Sequence, residues 1–582
     1  MNIYKFLTIS AFALSTYSMA EALRFEAENA VPADDHKIKT VTNEKASGGK
    51  YVEMADGNLE FTVDMPSDGY YTLFINYLLP SDRGNKTQNL TLNGSSAGQV
   101  TFGPSDDFAK IKAAGKLKLS KGKNTIGIVH SWGWVDIDYI EITEYEATPW
   151  NISPKPVTPE PTESAQKLYN FLLANFGKRT ISGVMTERPF ENNGQYTPQD
   201  FDTQTELSYI QKTSGKNVVL VGFDFLHSTG LNSGEQWYQG YTHASLEMAK
   251  TVWKKGGIPQ FNWHWKDPTQ IVEAFYTQSS DNDPYTKFSI GLAYDTTTGK
   301  WKTDSDEYKA LMHDMEIIAD SLLTLQKEGV AVLWRPLHEA SGKWFWWGTD
   351  GAKACVALYK LMFDTFVNKK GLHNLIWVWT TDEAPDALEW YPGDEYVDVV
   401  GRDYYYYPRE ANHASLVSSF EKIKEMYGAR KIVTLSENGS VPYPDSMKAD
   451  GANWSWFMPW YGDYAMEGWA NDNTAESWKT VMNNDYIITL EDMPGWDNYE
   501  MQTTIIAKTA KSAPTLFLAG RELQVNLNTA AQLAIYDMQG NHVLTKNMNG
   551  SGSISLSRLA RGQYIVQVKG LGKALAKKIL IK

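Results

Sequence analysis

The sequence is poor in cysteine, in basic charge and in long apolar runs. Cys355 is the single cysteine among 582 residues, which excludes an intrachain disulfide and favours a buried, inert thiol at that position. Lysine and arginine number 55 against 69 aspartates and glutamates, so the formal net charge is −14. This acidic balance argues against nucleic acid or an anionic membrane as the main partner.

Apolar runs long enough to span a bilayer are also missing, so no transmembrane segment is predicted. The apolar run Phe6 to Leu14 follows Lys5 and precedes Ser18-Met19-Ala20. A basic residue, a short apolar core and a small-x-small site predict a secretory signal peptide over residues 1–20, cut near Ala20. A buried N-terminal helix is the alternative interpretation.

The chain is too long for one hydrophobic core, and its composition changes along the sequence, which indicates several domains. Residues 22–146 show short alternating apolar runs between Gly, Asn, Asp and Ser clusters, which predict a β-sandwich. Residues 147–163 hold five prolines among polar residues. Such a composition predicts an extended, semi-rigid linker between two bodies that move independently.

Residues 164–505 change to alternating strand-like and helix-like segments, with a polar and aromatic insertion from Pro268 to Lys302. Eight apolar runs with helical crossovers predict a (β/α)₈ barrel, and the insertion is expected to shape one wall of a cleft. The eight runs are Thr180–Val184, Val218–Phe223, Gly257–Trp263, Val330–Trp334, Leu375–Trp379, Val397–Val400, Lys431–Leu435 and Trp454–Met458.

The ends of the predicted barrel strands carry the chemistry. Active groups of such barrels lie just beyond the carboxyl ends of the strands. Strand four ends at Arg335, His338 and Glu339, and strand seven ends at Glu437. Two carboxylates facing each other across a sugar are what glycosidic cleavage requires, one as acid and one as nucleophile or base. Their separation, which the sequence does not give, decides between a retaining and an inverting mechanism.

Neighbouring residues suggest which glutamate does what. Trp344 and Trp346 beside Glu339 favour a protonated acid, because desolvation raises a carboxyl pKa. Arg335 and Tyr405 suit Glu437, since hydrogen bonds keep a nucleophile ionised. The alternative is that one glutamate is only a structural ion-pair partner. No His, Asp and Cys cluster has zinc-ligand spacing, so no cofactor for catalysis is expected.

The N-terminal region carries a second acidic group. Glu26 and Glu28 lie on its first predicted strand, and Asp136 and Asp138 lie on its last. Terminal strands of a sandwich can lie side by side, and carboxylates brought together that way repel one another unless a hard cation such as Ca²⁺ joins them. The alternative is that these side chains point outward into solvent on separate strands.

The N-terminal region resembles carbohydrate-binding modules of family 35. The similarity rests on Phe25-Glu26-Ala27-Glu28-Asn29, Gly48-Gly49-Lys50-Tyr51-Val52 and Val135-Asp136-Ile137-Asp138-Tyr139-Ile140. The resemblance implies a jelly-roll sandwich, a structural Ca²⁺ near Glu26, Glu28 and Asp138, and a sugar site in the loops at one end. Trp132 is the expected stacking platform there; a plug over the sandwich end is its alternative role.

The central region resembles glycoside hydrolase family 26, a family dominated by endo-β-1,4-mannanases. The similarity rests on Trp334-Arg335-Pro336-Leu337-His338-Glu339, Asn262-Trp263-His264-Trp265, Gly401-Arg402-Asp403-Tyr404-Tyr405 and Ser436-Glu437-Asn438-Gly439. The resemblance implies a retaining mechanism with Glu339 as acid/base and Glu437 as nucleophile. It also places His264, His338, Trp344, Asp403 and Tyr405 around the reacting sugar. By its position, Trp460 fits an aromatic floor after strand eight.

Residues 510–582 form another β-rich unit, predicted as a small sandwich. The Tyr536-Asp537-Met538-Gln539-Gly540 turn and the Gly562-Gln563-Tyr564-Ile565-Val566 strand resemble the C-terminal sorting domains of type IX secretion cargo. That resemblance implies contact with secretion machinery and export, with attachment at the cell surface. A small domain that packs on the barrel or binds another protein is the alternative.

These observations predict a secreted, multidomain endo-β-1,4-mannanase. The expected partner is a mannan-type plant cell-wall polysaccharide, with the N-terminal module serving as a targeting device. One alternative keeps the barrel and changes the substrate to mixed-linkage β-1,3-1,4-glucan. A second alternative is a non-catalytic carbohydrate-binding surface protein, although both predicted glutamates and their His and Tyr neighbours are present.

Overall fold

The computed structural model describes residues 22–501 except 33–36, 192–193 and 279–283, and residues 515–581 except 520, 527–529, 550–551 and 570–574. The predicted signal peptide lies outside the described residues. Residues up to 502 belong to one compact unit, and residues from 503 onward belong to another. Among the described helices, none has both the length and the apolar character that crossing a lipid bilayer requires.

The N-terminal region is a β-sandwich of antiparallel strands. Its strands are β1 (Leu23–Glu26), β2 (Val31–Pro32), β3 (Lys39–Thr42), β4 (Lys50–Glu53), β5 (Leu59–Met65), β6 (Gly69–Leu79), β7 (Lys86–Leu92), β8 (Ser95–Phe102), β9 (Ser105–Leu119), β10 (Gly122–Trp132) and β11 (Asp136–Glu144). One sheet has the order β3-β4-β11-β6-β9 with β1 beside β11, and the other has the order β2-β5-β10-β7-β8.

Period-two alternation explains why these strands face one another. In β5, Leu59, Phe61, Val63 and Met65 are buried while the residues between them are exposed. Alternate side chains of a strand point to opposite faces, so the apolar set of each sheet fills the layer between the sheets. The first and last strands pair, with Glu26 opposite Tyr139, which is the arrangement that brings the two acidic groups of the sequence together.

The central region is a (β/α)₈ barrel, which confirms the predicted fold. Its helices are α1 (Glu163–Asn175), α2 (Thr205–Ser214), α3 (Gln236–Lys254), α4 (Ile290–Ala293), α5 (Asp306–Lys327), α6 (Ala352–Phe363), α7 (Val417–Met426), α8 (Pro444–Asp450) and α9 (Ala475–Met482). Its strands are β12 (Thr180–Ile181), β13 (Gly183–Met185), β14 (Leu220–Asp224), β15 (Ile258–Asn262), β16 (Tyr294–Asp295), β17 (Lys300–Trp301), β18 (Val332–Arg335), β19 (Leu375–Thr381), β20 (Val399–Tyr404), β21 (Ile432–Asn438) and β22 (Ile487–Ile488).

Seven parallel strands follow the order β13-β14-β15-β18-β19-β20-β21, and an eighth segment closes the ring. Trp456 bridges to Ile181 and Pro459 bridges to Asn438, both in parallel. The eighth segment is held on both sides, since Ser455 N donates to Val433 O at 2.9 Å and Met185 N donates to Pro459 O at 3.0 Å. The predicted run Trp454–Met458 therefore supplies the closing strand.

Helix α5 shows how the outer layer forms. Ser305 caps its first turn by accepting from Tyr308 N at 3.1 Å, and the acidic Asp306 and Glu307 lie where the helix dipole favours negative charge. Its buried residues recur at helical spacing along one face. That face comprises Leu311, Met315, Ile318, Leu322 and Leu325.

The proline-rich linker corrects a prediction. Residues 147–162 form no helix or strand, and their main chain hydrogen-bonds to the barrel: Asn151 N donates to Ala429 O at 2.8 Å, Val157 N to Asp398 Oδ1 at 2.7 Å, and Thr162 N to His373 O at 2.9 Å. The prediction of two independently moving bodies is wrong, because the sandwich and the barrel form one compact unit.

The C-terminal unit contains two antiparallel sheets over a shared apolar core, in agreement with the predicted small sandwich. Its strands are β23 (Thr515–Ala519), β24 (Glu522–Asn526), β25 (Ala530–Asp537), β26 (His542–Asn549), β27 (Gly552–Ser555), β28 (Gly562–Lys569) and β29 (Leu575–Ile581). The sheet orders are β23-β24-β27 and β26-β25-β28-β29. Leu523 and Ile554 of the first sheet share the core with Ile535 and Val566 of the second.

Candidate active site

Arg335, at the end of β18, is the centre of the candidate site and is fully buried. Its Nε donates to Asn262 Oδ1 at 3.0 Å, and its Nη1 donates to Thr380 Oγ1 at 2.9 Å. Nη1 also donates to both oxygens of Asp403, at 2.9 and 2.7 Å, and Nη2 donates to Glu437. A buried guanidinium is stable only with such partners, so the four strand ends that supply them are fixed relative to one another.

Glu437 is held at the end of β21 by two donors. Arg335 binds Oε2, and the hydroxyl of Tyr405 donates to Oε1 at 2.7 Å. The neighbouring Ser436 donates to Asp403 Oδ1 at 2.7 Å, so it helps to hold the other carboxylate that Arg335 binds. With both oxygens engaged, the Glu437 carboxylate has one fixed orientation, which is what an in-line attack on a sugar carbon needs.

Glu339 lies in a strained turn just after β18. Its φ is 54°, and that of Leu337 is 51°, a region that side-chain-bearing residues rarely adopt. Each such residue costs on the order of 1 kcal/mol, and the turn is held by hydrogen bonds, among them Trp347 Nε1 to His338 O at 2.9 Å. The strained turn brings one oxygen of Glu339 within 4.8 Å of one oxygen of Glu437. This close approach matches the spacing of retaining glycosidases, roughly 5–5.5 Å, better than that of inverting ones.

The two carboxyls differ in their electrostatic surroundings. Burial, with Asp403 and Glu437 nearby, raises the pKa of Glu339 well above its usual range. Burial and Asp403 also raise the pKa of Glu437, to about 7, while Arg335 and the Tyr405 hydroxyl act to lower it. Glu339 is therefore the member of the pair that holds a proton, and Glu437 is the member that ionises first.

His264 and His338 form a second layer beside the carboxylates. Asp224 Oδ2 accepts from His264 Nδ1 at 2.5 Å, and the Nε2 atoms of the two histidines lie 3.1 Å apart. Burial, His264 and Arg335 hold the pKa of His338 well below its usual range, so His338 is neutral. His338 and Arg335 are both fully buried. They act on the site through His264 and Glu437 rather than by touching a sugar.

The aromatic residues take different places. Trp344 is 42% exposed on the rim, and its Nε1 donates to Glu339 Oε2 at 3.2 Å, which lowers rather than raises the pKa of that carboxyl. Trp346 is fully buried and donates to the carbonyl of Trp265 at 2.5 Å, so it belongs to the core. The pKa of Glu339 is therefore raised as predicted, but by burial and by neighbouring carboxylates and not by these two indoles.

Two cavities lie at the site, one lined by Glu339 and the other by His264. The larger has a volume of about 880 Å³ and is lined by Glu339, Trp344, Asp403 and Tyr405 together with residues of the sandwich. The smaller, about 270 Å³, is lined by His264, Trp460 and Tyr276, among others. Tyr276 belongs to the long insertion, so the insertion does form part of a cleft wall. Trp460 lies beside His264, with ring centroids 5.7 Å apart.

Residues 157–492, which hold the whole cluster, match glycosyl hydrolase family 26. The chain belongs to this family. Residues 23–145 match carbohydrate binding module family 35, and residues 519–582 match a secretion system C-terminal sorting domain.

Three relatives illustrate the family 26 membership. A mannan endo-1,4-beta-mannosidase of Thermothelomyces thermophilus is 31% identical over 489 residues, which cover 82% of this chain and 92% of that protein. The crystal structure of a Podospora anserina GH26-CBM35 beta-(1,4)-mannanase matches with 28% identity and a TM-score of 0.50, covering 82% of this chain and 99% of that one. A beta-mannanase from a symbiotic protist of the termite Reticulitermes speratus, complexed with gluco-manno-oligosaccharide, matches with 44% identity and a TM-score of 0.53, covering 60% and 100%.

The acidic cluster of this family 26 barrel also has the spacing of a metal site. Among the described residues, oxygens of Glu339, Asp403 and Glu437 all lie within 4.8 Å of one another. Arg335, however, already bridges Asp403 and Glu437 and supplies the positive charge that such a cluster needs. Arg335 therefore takes the place that a metal ion would have between these carboxylates.

The predicted calcium ligands lie together at the edge of the sandwich. Oε2 of Glu26 and Oε2 of Glu28 are buried without a hydrogen-bond partner. Burial raises the pKa of Asp138 to about 6, and Glu26 and Glu28 add to that rise. Gly48, at φ +63°, lets the backbone pass Glu28, since a Cβ there would lie 3.1 Å from Oε1. An oxygen-only, electron-rich group of this kind fits Ca²⁺, although its oxygens are not as close together as those of the barrel cluster.

Thr380 and Ser436 are functional residues that the sequence interpretation missed. Thr380 binds Arg335, and Ser436 binds Asp403. Their place in the sequence offered a signal. Each is a small hydroxyl residue directly before a residue already assigned to a strand end, Thr381 after Thr380 and Glu437 after Ser436.

The pH dependence of activity follows from the two pKa shifts. Because Glu437 must be ionised, kcat/KM is expected to rise with pH through about 7, and it should fall at higher pH as Glu339 loses its proton. Tyr405→Phe removes a donor to ionised Glu437, so the acidic limb should move to higher pH. Trp344→Phe removes a donor to Glu339, so the alkaline limb should move to higher pH. Measuring kcat/KM on a soluble oligosaccharide as a function of pH gives both limbs of the profile. A shift of both limbs in either variant would contradict the assignment of the acidic limb to Glu437 and of the alkaline limb to Glu339.

Proposed function

We propose that the chain is a secreted, retaining endo-β-1,4-mannanase in which Glu339 is the acid/base and Glu437 is the nucleophile. The observation that carries this proposal is the pair itself. Two glutamates at the ends of facing strands lie close together, one held protonated by burial and one held in a fixed orientation by Arg335 and Tyr405. That division of roles is what double displacement at a sugar requires.

In the first step, Glu339 gives its proton to the glycosidic oxygen while Glu437 attacks the anomeric carbon. The bond from that carbon to the glycosidic oxygen breaks, and the leaving sugar departs with a new hydroxyl group. An ester now joins Glu437 to the remaining sugar. Arg335 stabilises the carboxylate before attack, and Asp403 balances the charge of Arg335.

In the second step, the ionised Glu339 takes a proton from water as that water attacks the anomeric carbon. The ester to Glu437 breaks, and both carboxyls return to their starting states. Asp224 and His338 hold the two ring nitrogens of His264, so the imidazole forms a fixed part of the wall of the smaller cavity. Trp344 and Trp460 present aromatic surface on the cleft walls, which suits the apolar faces of sugar rings.

Mannan is the proposed substrate because the relatives named above are mannanases and the family membership covers the whole barrel. Reducing-sugar release by the purified chain on galactomannan, glucomannan and mixed-linkage β-glucan tests this choice. Release from both mannans and not from the β-glucan is expected. Release from the β-glucan alone would show that the substrate is mixed-linkage glucan and would leave the proposed mechanism unchanged. No release from any of the three would favour a non-catalytic binding protein.

Secretion is the proposed route, supported by the C-terminal match to a sorting domain. That match fits a protein released from the cell or attached to its surface. The signal peptide over residues 1–20 remains a proposal on the sequence pattern alone. The N-terminal family 35 match makes binding to cell-wall polysaccharide part of the same proposal.

Glu26, Glu28 and Asp138 are proposed to hold a structural Ca²⁺. We expect chelation by EGTA to lower the melting temperature of the full chain by roughly 5 °C, because an ion that binds only the folded state stabilises it. Asp138→Asn should abolish the response to Ca²⁺. Asp136→Asn is the matched control, since Asp136 is also a buried carboxylate of β11 and lies outside the proposed ligand set. An equal response to chelation in wild type and Asp138→Asn would reject these ligands.

A further inference from the structure

The larger cavity at the active site has walls from two domains. Barrel residues Glu339, Trp344 and Tyr405 line it together with Thr87, Gln99 and Trp132 of the sandwich. Thr87 and Gln99 lie on β7 and β8, and Trp132 ends β10 at the loop where the sequence predicts the stacking platform. Glu339 of the barrel and Trp132 of the module thus line one cavity.

Direct contacts fix the position of the module at this cleft. The carbonyl of Tyr407 accepts from Asn89 Nδ2 at 3.1 Å and from Ser131 Oγ at 3.3 Å. Tyr407 follows Asp403 and Tyr405 along the chain by only a few residues, so the segment that shapes the reacting site also anchors the module. Ser131 immediately precedes Trp132, so its hydrogen bond to Tyr407 helps to hold the indole at the wall of the cleft.

Further contacts on the flank of the sandwich prevent it from turning away. Tyr145 OH donates to Glu421 Oε2 at 2.7 Å, and Lys112 pairs with Glu425, both on α7. Gly115 of β9 approaches α7 so closely that a Cβ there would lie 3.0 Å from Glu421 Cβ and 3.1 Å from the main-chain nitrogen of Lys422. Backbone contact of this kind needs a glycine and defines a single docked arrangement.

Trp132 itself has the surroundings of a sugar platform. It is 58% exposed, and Lys86 Nζ lies 4.6 Å from its ring centroid and supports the indole from one side. Gly133, at φ +75°, makes room for Lys86, because a Cβ there would lie 2.2 Å from Cδ of that lysine. An exposed indole beside hydroxyl and amide groups offers both a stacking surface and hydrogen-bond partners, the combination that binds a sugar ring.

We propose that the N-terminal module supplies a distal sugar subsite of the catalytic cleft, with Trp132 as its platform, so that one polysaccharide chain binds barrel and module together. This inference rests on the proposed mannanase function and goes beyond it. The module acts in positioning each substrate chain for cleavage, in addition to any role in attaching the enzyme to insoluble material. Its contribution should grow with the length of the substrate, because a chain bound at Glu339 must extend across the cavity to the sandwich wall to contact Trp132.

The test compares Trp132→Ala with Trp134→Ala in the full chain on soluble mannotriose and mannohexaose. Trp134 is the matched control: it is 52% exposed in the same loop, hydrogen-bonds to Asp56 at 2.7 Å, and does not line the cleft. Trp132→Ala is expected to lower kcat/KM for the long oligosaccharide on the order of tenfold, about 1.4 kcal/mol, and to leave the short one unchanged. Trp134→Ala should resemble wild type on both.

Three results would overturn the inference alone. They are equal kcat/KM of Trp132→Ala and wild type on mannohexaose, equal losses by Trp132→Ala on both lengths, or equal losses in the two tryptophan variants. A Trp132→Ala defect confined to insoluble mannan would show that the module is a separate targeting device. A wild-type chain inactive on every manno-oligosaccharide, in contrast, would overturn the proposed function and this inference with it.

Discussion

Replacing Glu437 with alanine is expected to lower kcat on mannan on the order of 10⁵-fold while the chain still binds its substrate. The reason is geometric as well as chemical. Both Glu437 oxygens are engaged, by Arg335 and Tyr405, and no other carboxylate among the described residues has this pair of donors with an oxygen within 4.8 Å of Glu339. Without the nucleophile, the covalent intermediate does not form, and water is not positioned to replace it.

Two measurements separate lost chemistry from lost structure in this variant. Glu437→Gln keeps the shape of the side chain, so it should be equally inactive and should melt close to wild type. Small anions such as azide fit the space left by Glu437→Ala and should attack an activated β-mannoside to give the α-mannosyl azide, with inversion. Full hydrolysis of mannan by Glu437→Ala would show that the nucleophile is another residue.

Replacing Glu339 with alanine is expected to lower activity on mannan by about 10²- to 10⁴-fold, the usual contribution of general acid–base catalysis. A natural glycosidic oxygen is a poor leaving group and needs the Glu339 proton. An aryl mannoside with an acidic phenol leaves without that proton, so the first step should recover on such a substrate. The second step still lacks its base, and the glycosyl-enzyme should accumulate.

Azide again distinguishes the roles, since it needs no base to attack the intermediate. For Glu339→Ala it should restore turnover of the aryl mannoside and yield the β-mannosyl azide, the opposite anomer to that from Glu437→Ala. Glu383 offers a matched control: it is a buried glutamate of the same barrel whose partners are Arg402, Ser419 and Lys422. Glu383→Gln should show no azide rescue and no dependence on the leaving group. An equal loss of kcat/KM, which reports the first step, on mannan and on the aryl mannoside would contradict the acid/base role of Glu339.

Much of the fold follows from local patterns in the sequence. Short apolar runs with helices between them predict the barrel because parallel strands buried on both faces must be continuously apolar. The β-sandwich follows in the same way from alternation, as in β5. The meeting of Arg335, Asp403 and Glu437 is predictable in outline, because the carboxyl ends of parallel strands share one rim of the barrel.

Features set by long-range packing were not predictable in this way. Trp344 and Trp346 are two residues apart, yet one lies on the rim and one in the core, because the turn after Glu339 is irregular and its direction depends on the insertion that packs against it. The linker composition predicts a segment without a core of its own. It does not show that the barrel supplies Ala429, Asp398 and His373 as hydrogen-bond partners that hold the linker down. The cleft wall at Trp132 depends on how the sandwich packs against the barrel, and the sequence does not predict that packing either.

Trapping the covalent intermediate tests the central claim most directly. The wild-type chain would be incubated with a 2-deoxy-2-fluoro mannosyl donor that carries a good leaving group, digested, and analysed by peptide mass spectrometry. The account predicts one added fluoro-sugar, on the peptide that contains Glu437, with loss of the label in Glu437→Gln. A label on another carboxylate, or no label together with release of the α-anomer as first product from mannan, would contradict a retaining mechanism at Glu437.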